Sequence, residues 1–134
     1  TNTRHYTLSL HDALPIYEQG FDPDLEFDEK DMTAFHVLVF SDSVPVAVGR
    51  FFIMEDNITA YLGRIAVLKE QRGKKIGAYL LRQLEQEAKK KGAQLSMLGA
   101  QLHAKGFYEN LGYQPFGEEF DDCGKIHIHM KKSL

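Results

Sequence analysis

Between Arg64 and Ala78 the chain reads as a short apolar run, Arg64-Ile65-Ala66-Val67-Leu68, then a charged link, Lys69-Glu70-Gln71, then Arg72-Gly73-Lys74-Lys75-Ile76-Gly77-Ala78. A glycine-bearing loop between a buried strand and a helix start aims several backbone N–H groups, and the positive end of the helix dipole, at one point in space. That point suits a pyrophosphate. Two better-known phosphate loops do not fit. A dinucleotide fingerprint places its first glycines directly after the strand and an acidic residue about 20 positions on, whereas here the charged link intervenes. A Walker A loop ends in Gly-Lys-Ser/Thr, which is absent. The side chains able to exchange protons near neutral pH are histidines: His103, His127 and His129 are candidates for such work, and His36 reads as structural.

The elements that must position these residues follow from apolar periodicity. Thr33 to Phe40 and Val44 to Met54 read as strands joined by the turn Ser41-Asp42-Ser43, and Asp56-Asn57 turns into a third strand, Thr59 to Leu68. Ile76, Leu80, Leu81, Leu84 and Ala88 share one helical face, with Arg82, Gln83, Glu85, Gln86, Lys89 and Lys90 elsewhere, and Gly92 ends the helix. Gln94 to Gly99 is the next strand and His103 to Asn110 a short helix stopped at Gly112. Tyr113 to Glu118 and Lys125 to Lys131 form a closing pair of strands. This order predicts an α+β domain, a mixed and mostly antiparallel sheet flanked by helices.

Arg72, Ile76, Gly77 and Ala78 resemble motif A of the GNAT N-acetyltransferases, with Lys75 where the first motif glycine usually stands; any residue can donate its N–H there if φ stays negative. Leu98-Gly99-Ala100-Gln101-Leu102-His103-Ala104 and Phe107-Tyr108-Glu109-Asn110-Leu111-Gly112-Tyr113 resemble motif B. Together with Gly124 to Met130, the pattern from about Tyr17 onward is similar to the ElaA/YjcF-like branch of that superfamily.

The resemblance implies acetyl transfer from acetyl-CoA, as co-substrate and without a metal, to a primary amine of a small molecule or peptide by direct attack. Ile65 and Val67 would pair with the pantetheine arm like an added strand. The amides around Val67 and Leu68, with Ala66 between the pairing residues, would face the thioester carbonyl if the strand near Leu98 splays away. Arg72, Gly73, Lys74, Lys75, Ile76, Gly77 and Ala78 would cradle the pyrophosphate. Tyr108 would return a proton to the departing thiolate. Gln101 stands where many relatives carry a CoA-binding Asn, and a strand-end polar residue bonded to backbone is an equal reading. His127 would take the amine proton, with His103, His129, Glu119 or a relayed water as competitors. A CoA-binding sensory module without turnover is the alternative function, and a nucleotide-binding phosphate loop a distant third.

The 134 residues, 43% of them hydrophobic, suffice for one core. A net charge of −3 argues against nucleic acid as a partner. Cys123 is the sole cysteine, which fits a reducing compartment, and the expected location is the cytoplasm, off the membrane; a homodimer stays open. Acidic residues crowd Glu18 to Asp31 and recur at Glu118, Glu119, Asp121 and Asp122, predicting a negative rim that draws a cationic acceptor. Residues 1–16 are set apart. Residues 4–16 resemble the translation of a sequencing adapter, so 1–16 are read as a non-native segment lacking the apolar pattern to cover a sheet edge. The acetyltransferase domain is then 17–134, its native first strand and most of its first helix missing.

Overall fold

The computed structural model describes residues 3–17, 21, 28–73 and 75–134. Seven strands form one sheet in the order β1-β2-β3-β4-β5-β7-β6, with β1 Thr3–Leu8, β2 Phe35–Ser41, β3 Val44–Ile53, β4 Thr59–Val67, β5 Leu95–Gln101, β6 Gln114–Asp122 and β7 Lys125–Ser133. Every neighbouring pair is antiparallel except β4 and β5. The helices are α1 Leu10–Tyr17, α2 Ile76–Lys90 and α3 Lys105–Asn110. The predicted α+β architecture is therefore the observed one.

Helix α2 lies on the sheet because its apolar face recurs at helical spacing. Leu80, Leu81, Leu84 and Ala88 are buried with Val37, Phe51, Leu62 and Leu98 from the strands. Each such leucine contributes roughly 1.5–3 kcal/mol by leaving water. Gln83, expected on the polar side, is buried as well. At Gly49 a Cβ would lie 2.9 Å from Leu84 Cδ1. A side chain there would force Leu84 to move. At its far end α2 closes with Gly92 at φ 96 and the Ala93 amide bonded to the Ala88 carbonyl at 3.0 Å, the left-handed stop expected of a glycine past a helix end.

Residues 3–17 correct the expectation that this segment lacks the pattern to cover a sheet edge. Strand β1 pairs along its whole length with β2, and α1 buries Leu10, Ala13 and Tyr17, the last two against Leu38 and Val48 on the face opposite α2. The segment thus does cover that sheet edge. Its apolar residues are few but fall three or four apart, which one short helix needs to bury a stripe.

Of the acidic stretch, Glu18, Asp22, Asp24 and Glu26 lie outside the described residues, as does Lys74. Asp28 caps a short 3-10 turn, Glu29–Met32, in a reciprocal capping box with Asp31. Asp31 itself is fully buried between Arg50 and Arg64. It is a structural counter-charge and not part of a rim.

Candidate active site

The two central strands part. β4 and β5 pair from Thr59–Leu95 to Leu62–Leu98 and no further; beyond that point β4 stays with β3, and β5 continues with β7. The cause lies in β4. Gly63 pairs with Arg50 and Ala66 with Val48, so Arg64 and Ile65 together face Gly49 alone, and Arg64 takes up φ 53. A bulge of this kind bends its strand and increases the local twist. It swings the end of β4 away from β5 and opens a cleft of about 600 Å³.

Along the open edge only alternate residues of β4 can act. The Leu68 N–H is bonded to the Val46 carbonyl at 2.9 Å, and successive backbone groups of a strand point to opposite edges. Ala66 and Leu68 therefore spend their amides on β3, while those of Ile65 and Val67 point to the edge that β5 has left. This corrects the expectation that Leu68 offers a donor. Arg72 closes the end of the edge, its Nε donating to the Val67 carbonyl at 3.3 Å and its amide to the Lys69 carbonyl at 3.3 Å.

The first helical bond of α2 runs from the Tyr79 amide to the Lys75 carbonyl at 3.1 Å. The amides of Lys75, Ile76, Gly77 and Ala78 precede it and have no partner within the helix. Lys75 sits at φ 64 and makes no side-chain cap. The condition that φ stay negative there is thus not met: the loop takes the left-handed conformation that the missing glycine would have supplied, and a lysine bears the strain. Gly73 also takes a positive φ of 85. At Gly77 a Cβ would come within 3.4 Å of Phe107 Cζ and 3.9 Å of Val67 Cγ2, so the helix start, β4 and α3 meet there with little room to spare.

Tyr108, Gln101, His103 and His127 all line the cleft, joined by Ile65 from the opposite wall. Tyr108 is buried on α3, edge-on to Phe107 and Tyr113, and burial pushes its phenol up to about 12, so it keeps its proton. His127 stands opposite Gln101 in the β5–β7 register. Its Nδ1 lies 2.9 Å from the Lys125 carbonyl and must donate to it, since a carbonyl only accepts. In the neutral ring Nε2 is then the free base. His129 and Glu119 do not line the cleft, and among the described residues the acids that do are Asp28 and Asp122. His36 is buried and neutral in character: Nε2 donates to the Asp31 carbonyl at 3.0 Å, Nδ1 accepts from the Tyr17 hydroxyl at 3.1 Å, and burial lowers its pKa.

Several cleft residues were not singled out by sequence: Tyr61, Arg50, Arg64 and Phe120. Arg50 pairs with Asp28 at 3.0 Å and with Asp31, and that hydrogen bond holds the Asp28 carboxyl down near 2. No motif marks them, because each reaches the cleft from a strand whose face is set only by pairing.

An acetyltransferase (GNAT) domain family model matches residues 14–134. YjcF of Bacillus subtilis, an N-acetyltransferase by name, is 36% identical over 118 residues, covering 87% of this chain and 83% of that protein. The structure of Escherichia coli ElaA has a TM-score of 0.76 and 25% identity, covering 98% of this chain and 99% of that one. A GNAT family acetyltransferase from Elizabethkingia anophelis, solved with acetyl-CoA bound, has a TM-score of 0.75 over 99% of both chains; at 18% identity it is a likeness of fold alone. Among the described residues no helix is long and apolar enough to cross a membrane.

Proposed function

The chain belongs to the GNAT acetyltransferase family and is an acyltransferase; from that premise we propose that it moves an acetyl group from acetyl-CoA to the primary amine of a small molecule or peptide, by direct attack and without an acyl-enzyme. The observation that carries this reading is the fork at Leu62 and Leu98. It leaves the β4 edge at Ile65 and Val67 without a strand partner, beside a cleft lined by Ile65 on one wall and by Tyr108, Gln101 and His127 on the other.

The residues present fit acetyl-CoA, which supplies the activated acetyl thioester. The amides of Lys75, Ile76, Gly77 and Ala78, with Gly73 and Lys74 before them and Arg72 holding the loop to β4, would take the pyrophosphate at the positive end of α2. Ile65 and Val67 would pair with the pantetheine arm, Ala66 and Leu68 contributing only by fixing that strand to β3. Val67 N–H would meet the negative charge that develops on the carbonyl oxygen. Gln101 would bond the amide-rich part of the arm.

In the transfer, the amine nitrogen forms its bond to the carbonyl carbon and the carbon–sulfur bond breaks. His127 Nε2 would take the proton that the amine loses, directly or through one water. Tyr108 would give its own proton to the departing sulfur. Its phenol lies above a thiol's usual 8.5, but the same dry surroundings that raise it also make the thiolate more basic. Asp122 at the cleft favours a cationic acceptor, Asp28 being taken up by Arg50 and Arg64.

A CoA-release assay over a panel of cationic, neutral and anionic amines tests the reading. Cationic primary amines are expected to turn over best, with kcat/KM falling as salt shortens the field. Tight acetyl-CoA binding without release on any amine would sink the enzyme reading in favour of a sensory module.

A further inference from the structure

The bulge in β4 shifts the parity of the strand. Leu62 and Ile65 both pack in the layer with α2 although they are three apart. Gly63, beside Arg50, and Ala66, packed with Leu38 and Val48, face the other way. A strand that alternates without interruption cannot do this, and Arg64 is the residue in excess. Without it, Ile65 and Val67 would turn their amides to β3, and Ala66 and Leu68 would occupy the edge that β5 has left. One inserted residue therefore decides which amides that edge offers.

The insertion goes against the residue's own preference. Arg64 holds φ 53, a conformation that bulges ordinarily give to glycine, and such strain persists only where the surroundings impose it. Here the imposing contact is ionic. Arg64 Nη2 lies 3.3 Å from Asp31 Oδ2 and 3.7 Å from Asp28 Oδ2, while Asp31 Oδ1 pairs with Arg50 Nη1. Arg50 stands on β3 opposite Gly63, the last residue before the bulge. Asp31 is itself held fast: it is completely buried, its Oδ2 accepts from the Asp28 amide at 2.7 Å, and its carbonyl accepts from His36 Nε2 at 3.0 Å. One buried carboxylate clasps β3 and β4 at the insertion.

We propose that Asp31 and Arg64 are positioning residues for acetyl-CoA: their ion pair fixes the bulge, and through it the parity that leaves the Ile65 and Val67 amides on the open edge of β4. This rests on the acetyl-transfer reading of the same cleft. The pair acts through the backbone of β4, so its loss is felt as a smaller population of the register that binds, and apparent affinity falls in proportion to that population. A pair that merely stabilised the domain would change the melting temperature and leave affinity alone.

The test is a series at residue 64, read by calorimetry with acetyl-CoA and by amide hydrogen exchange over residues 65–68. Arg64→Lys keeps a charge for Asp31, Arg64→Gly drops the clasp but suits the left-handed backbone, and Arg64→Ala drops the clasp and keeps the strain. Affinity should fall in that order, with Arg64→Ala at least about fivefold weaker than Arg64→Gly. Exchange should quicken in the same order, because Ala66 and Leu68 lose the fixed register in which their amides bond to β3. Asp31→Asn should weaken binding in the presence of Arg64 and change little in the Arg64→Ala background; should it fail to fold, the residue-64 series decides alone. Unchanged affinity in Arg64→Ala, whatever its melting temperature, overturns the proposal and leaves acetyl transfer standing. Equal losses in Arg64→Gly and Arg64→Ala also overturn it, since Arg64 would then act on the cofactor by direct contact. If the wild type does not bind acetyl-CoA, the transfer reading falls and exchange decides the clasp by itself: quickening in the stated order supports it, and no difference overturns it.

Discussion

Leu62 and Leu98 are the last residues at which β4 and β5 face each other, and both are buried beneath α2. The core thus holds the strands together up to the point where the bulge at Arg64 parts them, and the cleft begins where the leucines end. Because these two side chains also touch the helix layer, the fork is anchored on the side away from solvent.

Gly77→Asp should lower acetyl-CoA affinity at least tenfold while leaving the fold intact. The new side chain meets Phe107 and places a negative charge among the amides proposed to hold the pyrophosphate. Calorimetry with acetyl-CoA reads the effect, and normal affinity would remove the start of α2 from the binding site.

Tyr108→Phe keeps the ring between Phe107 and Tyr113 and removes only the hydroxyl. Loss of a general acid costs roughly 10² to 10⁴ in rate, so kcat should fall by that order with acetyl-CoA affinity nearly unchanged. An unaltered single-turnover rate would assign the proton to another group.

Lys75→Gly relieves a left-handed residue at the start of α2. The conformational strain is about 1 kcal/mol, partly offset by the greater freedom of glycine in the unfolded chain. Thermal unfolding should rise by up to about 4 °C. A lower melting temperature would mean that the lysine side chain stabilises the loop by more than its backbone strain costs.

His36 should make the protein less stable in mild acid. Its pKa is lowered by burial among Tyr17, Asp31, Arg50 and Arg64, so the unfolded chain takes up a proton near 6.5 that the folded chain refuses. The stability is present above that value and is lost as pH falls below it. Denaturant midpoints at pH 7.5 and pH 5 should differ more in the wild type than in His36→Gln, and equal differences would rule out this residue as the source.

Deleting residues 1–16 should lower the melting temperature substantially. The deletion strips β1 from β2 and removes Ala13 from the layer over Leu38 and Val48, and it breaks the Thr7–Glu87 hydrogen bond of 3.0 Å. A melting temperature that stays the same or rises would restore the view that this segment contributes nothing to the sheet edge.

Much of this protein is written locally. The alternation in Phe35–Ser41 and Val44–Ile53 and the 3.6-residue spacing of Leu80, Leu81, Leu84 and Ala88 are short-range patterns, and they fixed the strands, the helix and their order. The amides before Tyr79 that lack a helical partner belong to the same class, since any helix start exposes them once its first residue is known. Tyr108, Gln101 and His127 were legible only through their likeness to known motifs.

What tertiary structure alone decided are relationships between residues far apart in the chain. Nothing local in Arg64 announces a bulge; it exists because two residues of β4 face the single Gly49 of β3, which in turn must stay bare for Leu84. Phe120, His129 and Tyr61 converge over Gly99 from three strands, and the parity that puts them on one face depends on how many residues β6 inserts opposite β7. Periodicity tells which side chains share a face of one element, but which faces meet is fixed by register and packing, and both are settled only when the whole sheet closes on its core.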